Sequence, residues 1–385
     1  MSYLKNALRN AEQSFAADFS RASSLTVFDA VNHQHIPSFG ELIGFAAGDA
    51  PVPSLQLTES SSAPGKIDRP GDYHETIMVG GVPRTYILHV PPGYDPGKPM
   101  PLVVALHGLG GSGAEFERRS GIDAEADQKG FIVAYPDATE WLGKRQLAAW
   151  DTGNGLVPAG GKADDVGFLR SLIDTTQKQM SVDPRRIYMV GVSNGGMEAY
   201  RAAAELSDKV AAVVDISGGM SGREPAPCQP VSVLSIVGTS DRIVPPGGSS
   251  AAQEAASVGE RILQHLAQAV PAGGREAAAI AVPALDSVLP GLASRLHFAP
   301  AFKPVSYATS FWKTADGITG PPVETKDGAV TTDVYTNPTT GVTVEQEVVQ
   351  GADHVLQHGA PPNFSLADQA WSFLSAHEKP AGTTG

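Results

Sequence analysis

The chain has 385 residues, of which 42% are hydrophobic and 18% charged, a balance that supports a substantial buried core and excludes disorder throughout. A net charge of −13, with no run of Lys or Arg, excludes the concentrated positive charge that nucleic acid needs and disfavours an anionic membrane surface. The single Cys228 forms no internal disulfide, so nothing requires an oxidising compartment, and no zinc-like Cys or His cluster is present.

Residues 1–48 read as an N-terminal helical extension. Tyr3, Leu4, Ala7, Leu8, Ala11, Phe15 and Phe19 recur at three and four residues and mark one apolar face. That face either docks on the main domain or seats on a hydrophobic surface such as a polymer granule. No stretch has the apolar core of a signal peptide or the length of a membrane span, so the chain as written reads as cytoplasmic. Residues 49–72, rich in Pro, Ser and Gly, read as a linker.

From residue 73 to 378 the pattern is that of one α/β domain. HETIMV and RTYILHV, separated by Gly-Gly-Val, predict an edge hairpin, and Leu102–Leu106 a strand buried on both faces. A helix over Ala114–Lys129, the strand FIVAY at 131–135 and a long loop through Trp150 follow. Asp164 and Asp165 open a helix with Val166, Leu169, Ile173 and Met180 on its apolar face, the early acids complementing its dipole. Further buried strands are predicted at Ile187–Val190, Val210–Ile216, Val231–Val237 and Val342–Val349, with a closing helix at Leu366–His377. The alternation of strand and helix implies right-handed crossovers and a mostly parallel, doubly wound sheet whose ligands collect at the C-terminal strand ends.

Residues 250–300 interrupt this pattern with two helical stripes, one through Val258, Ile262, Leu266 and Val270, the other through Leu285, Val288, Leu289, Leu292 and Leu296. They predict a helical insertion that is either a lid over the site or a packing appendage remote from it.

The densest signal is Gly191-Val192-Ser193-Asn194-Gly195, between a short apolar strand and a helix, which fits the G-x-S-x-G nucleophile elbow. A serine hydroxyl needs an imidazole to take its proton and an acid to orient that imidazole. Ser193, Asp241 and His354 supply them in the α/β-hydrolase chain order, Asp241 in GTSDRIVPP and His354 in GADH, each just beyond a predicted strand. His358 is the rival base. The oxyanion donors are expected to be the backbone N–H groups of Asn194 and Leu109, and His107 shapes the loop beside the substrate without serving as the base.

LHGLGGSG at 106–113, DDVGFL at 164–169, DPRRIYMVGVSNGGM at 183–197, GTSDRIVPPGG at 238–248 and GADH at 351–354 together resemble the polyhydroxybutyrate depolymerase family of α/β-hydrolases, which also holds feruloyl and other carboxylic esterases. The similarity covers residues 75–375 outside the insertion. It implies an α/β-hydrolase fold with the insertion between the acid and histidine loops, and a serine esterase for 3-hydroxyalkanoate or aryl esters. It also implies that Asp165 braces the fold near the site and that Trp150 lies by the substrate groove, with His107 as a second substrate-side residue. Relatives commonly carry a tryptophan after the catalytic histidine, where Val355-Leu356-Gln357 stand here, and many secreted relatives have disulfides that this chain lacks.

The expected activity is therefore hydrolysis of short-chain polyhydroxyalkanoate or 3-hydroxyacyl oligomers, with a feruloyl or aryl esterase as the alternative within enzymes. A granule- or partner-binding protein on an inactive hydrolase fold is the alternative of another class. No metal or organic cofactor is called for, the partner is an ester or polyester substrate, and granule association would run through the N-terminal helix. The resemblance also admits a secreted or periplasmic location.

Overall fold

The computed structural model describes residues 65–140, 148–154, 163–248, 302–356, 358, 360–361 and 364–380. The N-terminal extension 1–48, most of the linker and the whole insertion 250–300 lie outside them. The first strand starts at Gly71, so the last two residues of the segment read as linker already belong to the sheet.

The sheet is built from β1 (Gly71–Val79), β2 (Val82–Val90), β3 (Met100–Leu106), β4 (Ile132–Pro136), β7 (Val182–Val192), β8 (Ala212–Ile216), β9 (Ser232–Gly238), β10 (Val323–Asp327), β11 (Val330–Thr336) and β12 (Thr343–Val349). A small separate ladder joins β5 (Thr139–Glu140) and β6 (Ala148–Ala149). The order across the large sheet is β1-β2-β4-β3-β7-β8-β9-β12-β11-β10. From β4 to β12 every neighbouring pair is parallel, and an antiparallel pair flanks that block on each side.

The chain builds outward from β3 to β4, then crosses back and builds the other way from β7. This reversal puts a topological switch point between the C-terminal ends of β3 and β7, the crevice where ligands of open α/β sheets bind.

Helices α1 (Gly113–Ser120), α2 (Ile122–Lys129), α3 (Asp165–Gln179), α4 (Asn194–Glu205), α5 (Val305–Ala315) and α6 (Leu366–Ser375) cover both faces. Because side chains alternate along a strand, β3 sends Leu102, Val104 and Leu106 to one core and Val103 and Ala105 to the other. The first core packs against Phe168, Leu169 and Leu172 of α3, Tyr200 of α4 and Trp312 of α5. The second packs against Phe116, Ala126, Phe373 and Leu374 from α1, α2 and α6. Each fully buried Leu or Phe stabilises the fold by about 1.5–3 kcal/mol relative to exposure. Among the described residues no helix is long and apolar enough to cross a membrane.

Three elements depart from the sequence reading. The helix expected over Ala114–Lys129 is two, because Gly121 adopts φ 73, a left-handed conformation that closes α1 and opens α2. α5 was not anticipated, although Val305, Ala308 and Trp312 lie at helical spacing and are its buried residues. The β10–β11 hairpin was also missed, since β10 is exposed along its length and carries no alternation to betray a strand.

Candidate active site

Ser193 sits between the end of β7 and the start of α4 with φ 56 and ψ −120, outside the broadly allowed regions for an L-residue. The turn closes so tightly that only glycine fits on either side. A methyl on Gly191 would lie 2.1 Å from the Gly195 carbonyl oxygen, and one on Gly195 would lie 2.2 Å from the Leu106 carbonyl oxygen. The Ser193 amide donates to the Ile216 carbonyl at 2.8 Å, which fixes the turn to the end of β8.

His354 enters from the turn after β12. Its Nε2 is 3.0 Å from Ser193 Oγ, and its Nδ1 is 2.8 Å from Asp241 Oδ2. All three side chains are buried. The second Asp241 oxygen accepts the Ile243 and Val244 amides at 2.8 and 2.9 Å, so the carboxylate is held at both ends. The acid and histidine loops are tied to each other: the Ser240 amide donates to the Ala352 carbonyl at 2.9 Å, and the Gly351 amide to Thr239 Oγ1 at 2.8 Å. His358, the rival base, is exposed and its Nδ1 lies 2.6 Å from Asp353 Oδ2.

The loop after β3 runs beside the nucleophile. A methyl on Gly108 would touch Ser193 Cβ at 3.5 Å, and the loop is fixed by the Gly110 amide donating to the Ala148 carbonyl at 2.7 Å. Neither the Leu109 nor the Asn194 amide has a backbone acceptor among the described residues. The Asn194 amide also belongs to the first turn of α4, where unpaired N–H groups and the helix dipole favour a developing anion.

The two residues anticipated on the substrate side make bracing contacts. Trp150 is fully buried, and its indole N–H donates to the His107 carbonyl at 2.8 Å. His107 is also buried, with Nδ1 donating to the Gly108 carbonyl at 2.7 Å and Nε2 accepting the Ala138 amide at 3.0 Å. These contacts define a neutral ring and use both nitrogens. The Asn194 side chain clasps Trp150 from below, accepting its amide at 2.8 Å and donating to its carbonyl at 3.2 Å. Asp165 accepts the Asp151 amide at 2.8 Å, which carries the brace on to α3.

Asp215, near the end of β8, was not singled out in the sequence. Asp215 is buried with its Oδ1 in a notch between two glycines: a methyl on Gly196 would lie 2.1 Å from it, and one on Gly218 2.0 Å. Burial drives its carboxyl up to about 8, against the pull of the Gly218 N–H and the Tyr200 and Ser235 hydroxyls, and the Asp241 charge adds to the rise. An acidic residue inside the apolar run AVVDI is the signal that could have flagged it. Beyond Asp241, a methyl on Gly248 would lie 2.6 Å from the Pro304 nitrogen, and the Val305 amide donates to the Pro246 carbonyl at 2.9 Å. The chain on either side of residues 249–301 therefore meets at the rim of the acid loop. Among the described residues no group of three or more His, Cys, Asp or Glu is set to hold a metal ion.

Residues 84–251 match the family model described as Esterase PHB depolymerase. That segment is similar to the PHB depolymerase esterases. NocK of Nocardia uniformis subsp. tsuyamanensis, assigned as an esterase, is 37% identical to this chain over 46% of it and 50% of NocK. Feruloyl esterase B of Piromyces equi is 32% identical over 42% of this chain and 30% of that protein. Feruloyl esterase C of Emericella nidulans is 28% identical over 46% and 64% respectively. The matched part thus spans less than two thirds of each of these relatives.

Proposed function

We propose that this protein is a serine carboxylic ester hydrolase that uses Ser193, His354 and Asp241, with short-chain polyhydroxyalkanoate or 3-hydroxyacyl oligomers as its substrate class. The observation that carries the reading is the line of contacts from Ser193 Oγ to His354 Nε2 at 3.0 Å and from His354 Nδ1 to Asp241 Oδ2 at 2.8 Å. In this reading His354 takes the Ser193 proton as Oγ forms a bond to the ester carbonyl carbon, and Asp241 holds the ring and stabilises the imidazolium. The Leu109 and Asn194 amides receive the oxyanion. Collapse of the tetrahedral intermediate breaks the bond to the alkoxy oxygen, which takes the proton from His354 Nε2 and leaves as the alcohol. Water, deprotonated by the same nitrogen, then attacks the acyl-serine, and the acid departs as Oγ recovers its proton.

Feruloyl esterases among the relatives favour a second reading, an aryl ester substrate on the same machinery. Assay of wild type and Ser193→Ala on a p-nitrophenyl ester, methyl ferulate and a hydroxybutyrate oligomer tests both. The expected result is Ser193-dependent turnover with preference for the oligomer. Preference for methyl ferulate selects the second reading, and turnover that survives in Ser193→Ala removes both.

A further inference from the structure

We infer that Ser217 is a positioning residue for the nucleophile–histidine pair, acting through the backbone beside His354; the inference rests on the esterase reading above. Ser217 follows Ile216 at the end of β8, between the strand that delivers Ser193 and the strand that delivers Asp241. These two consecutive residues reach both partners of the pair. The Ile216 carbonyl accepts the Ser193 amide at 2.8 Å, and Ser217 Oγ accepts the Val355 amide at 3.0 Å, one residue past His354. The Ser217 amide in turn donates to the Ile236 carbonyl at 2.9 Å, which pins the segment to β9. One short stretch therefore registers the turn bearing the hydroxyl against the turn bearing the imidazole.

The backbone indicates that the side chain is the reason for a serine here. Ser217 is fully buried at φ 53, a conformation that glycine takes freely and other L-residues take rarely. A serine there is disfavoured unless its hydroxyl is used. The recipient turn is held in the same way: Val355 at φ 55 and Leu356 at φ 62 are both left-handed, and Val355 is β-branched and buried. Ser217 Oγ satisfies the buried amide of that turn. Without it, the Val355 amide loses its acceptor, the turn relaxes toward a commoner conformation, and the His354 ring moves with the backbone that carries it.

The test compares wild type, Ser217→Gly, Ser217→Ala and Ser193→Ala on a p-nitrophenyl ester, with active sites counted by a fluorophosphonate and folding followed by thermal melting. Ser217→Gly removes the hydroxyl but relieves the left-handed strain, which offsets part of the cost of the unpaired Val355 amide, so the variant is expected to fold with a melting temperature near or modestly below that of wild type. Its kcat per active site is expected to fall roughly 10- to 100-fold with KM nearly unchanged, the signature of a displaced base. A crystal structure of Ser217→Gly should show His354 Nε2 drawn beyond about 3.5 Å from Ser193 Oγ. Undiminished kcat in Ser217→Gly with Ser193→Ala inactive overturns the positioning role alone, as does a Ser217→Gly structure with the histidine contact intact. Turnover that persists in Ser193→Ala overturns the esterase reading and this inference with it.

Discussion

Arg84 Nη2 and Asp165 Oδ1, 81 positions apart in the chain, meet at 2.8 Å with both side chains buried. The guanidinium also lies 4.2 Å over the Phe168 ring and donates to the Asp137 carbonyl at 3.1 Å, while the other Asp165 oxygen takes the Asp151 amide. The pair thus locks β2, α3 and the segment after Trp150 together behind the site. Arg84→Met keeps the bulk but leaves a carboxylate buried without its counter-ion. Urea unfolding should show a loss of about 3–5 kcal/mol, and a loss below about 1 kcal/mol would mean that Asp165 is satisfied by its backbone contact alone.

Asp241→Asn should leave the fold unchanged, because the two amide donors at Ile243 and Val244 can still bond the side-chain oxygen. It should lower kcat by roughly 10⁴-fold, since an amide presents His354 with a donor where an acceptor is needed and favours the wrong tautomer. Single-turnover kinetics on a p-nitrophenyl ester checks this; a decrease under about tenfold would show that the ring is oriented by other contacts.

Asp215 gives a stability signature with a definite sign. Its folded-state pKa, raised to about 8, exceeds the ordinary carboxylate value of 3.8, so the folded protein holds a proton that the unfolded chain has released between those limits. Stability attributable to this group is therefore lost as pH rises from about 4 towards 8 and changes no further above that. Asp215→Asn, which cannot ionise, should gain on wild type steadily across that window in denaturant midpoint. A flat difference between pH 5 and 8 would show that Asp215 is already charged in the fold.

His89 titrates on the opposite flank of the sheet. Burial pulls its pKa down, but Asp72 at 2.7 Å, Asp123 at 3.8 Å and Asp127 at 3.0 Å outweigh it, and the net shift is upward. Glu117 stands in the same group, pushed up to about 7 by burial first and then by the Asp123 and Asp72 charges. A raised histidine contributes stability that is full below its unfolded value near 6.5 and is lost as pH rises through the folded value. His89→Gln should therefore destabilise at pH 6 and converge on wild type at higher pH, as read from thermal melts. An equal deficit at pH 6 and 9 would assign His89 a packing role only.

How far the sequence revealed the fold follows from what each segment buries. β3 was legible because a strand buried on both faces reads as an unbroken apolar run, β7, β8 and β9 because they hold apolar stretches interrupted by few polar residues, and the elbow because its geometry admits few residues at 191 and 195. β10 was not, because an exposed edge strand has no pattern to show. The order of Ser193, Asp241 and His354 could be read from the chain, but the distances among them are set by loops whose contacts are non-local. Ser217 is the clearest case: its φ and its bond to Val355, 138 positions away, leave no trace in local periodicity. Trp150 is a further case: its place by the substrate groove came from the family resemblance, and its burial and its bond to the His107 carbonyl could not be read from the chain.

The close approach of Gly248 to Pro304 makes the stretch between them a cassette. The chain departs from the described fold and comes back to it through one doorway near Asp241. A bridge of about three residues would join the two ends. Shortening, lengthening or exchanging residues 249–301 should thus leave the ten-stranded sheet behind that doorway unchanged.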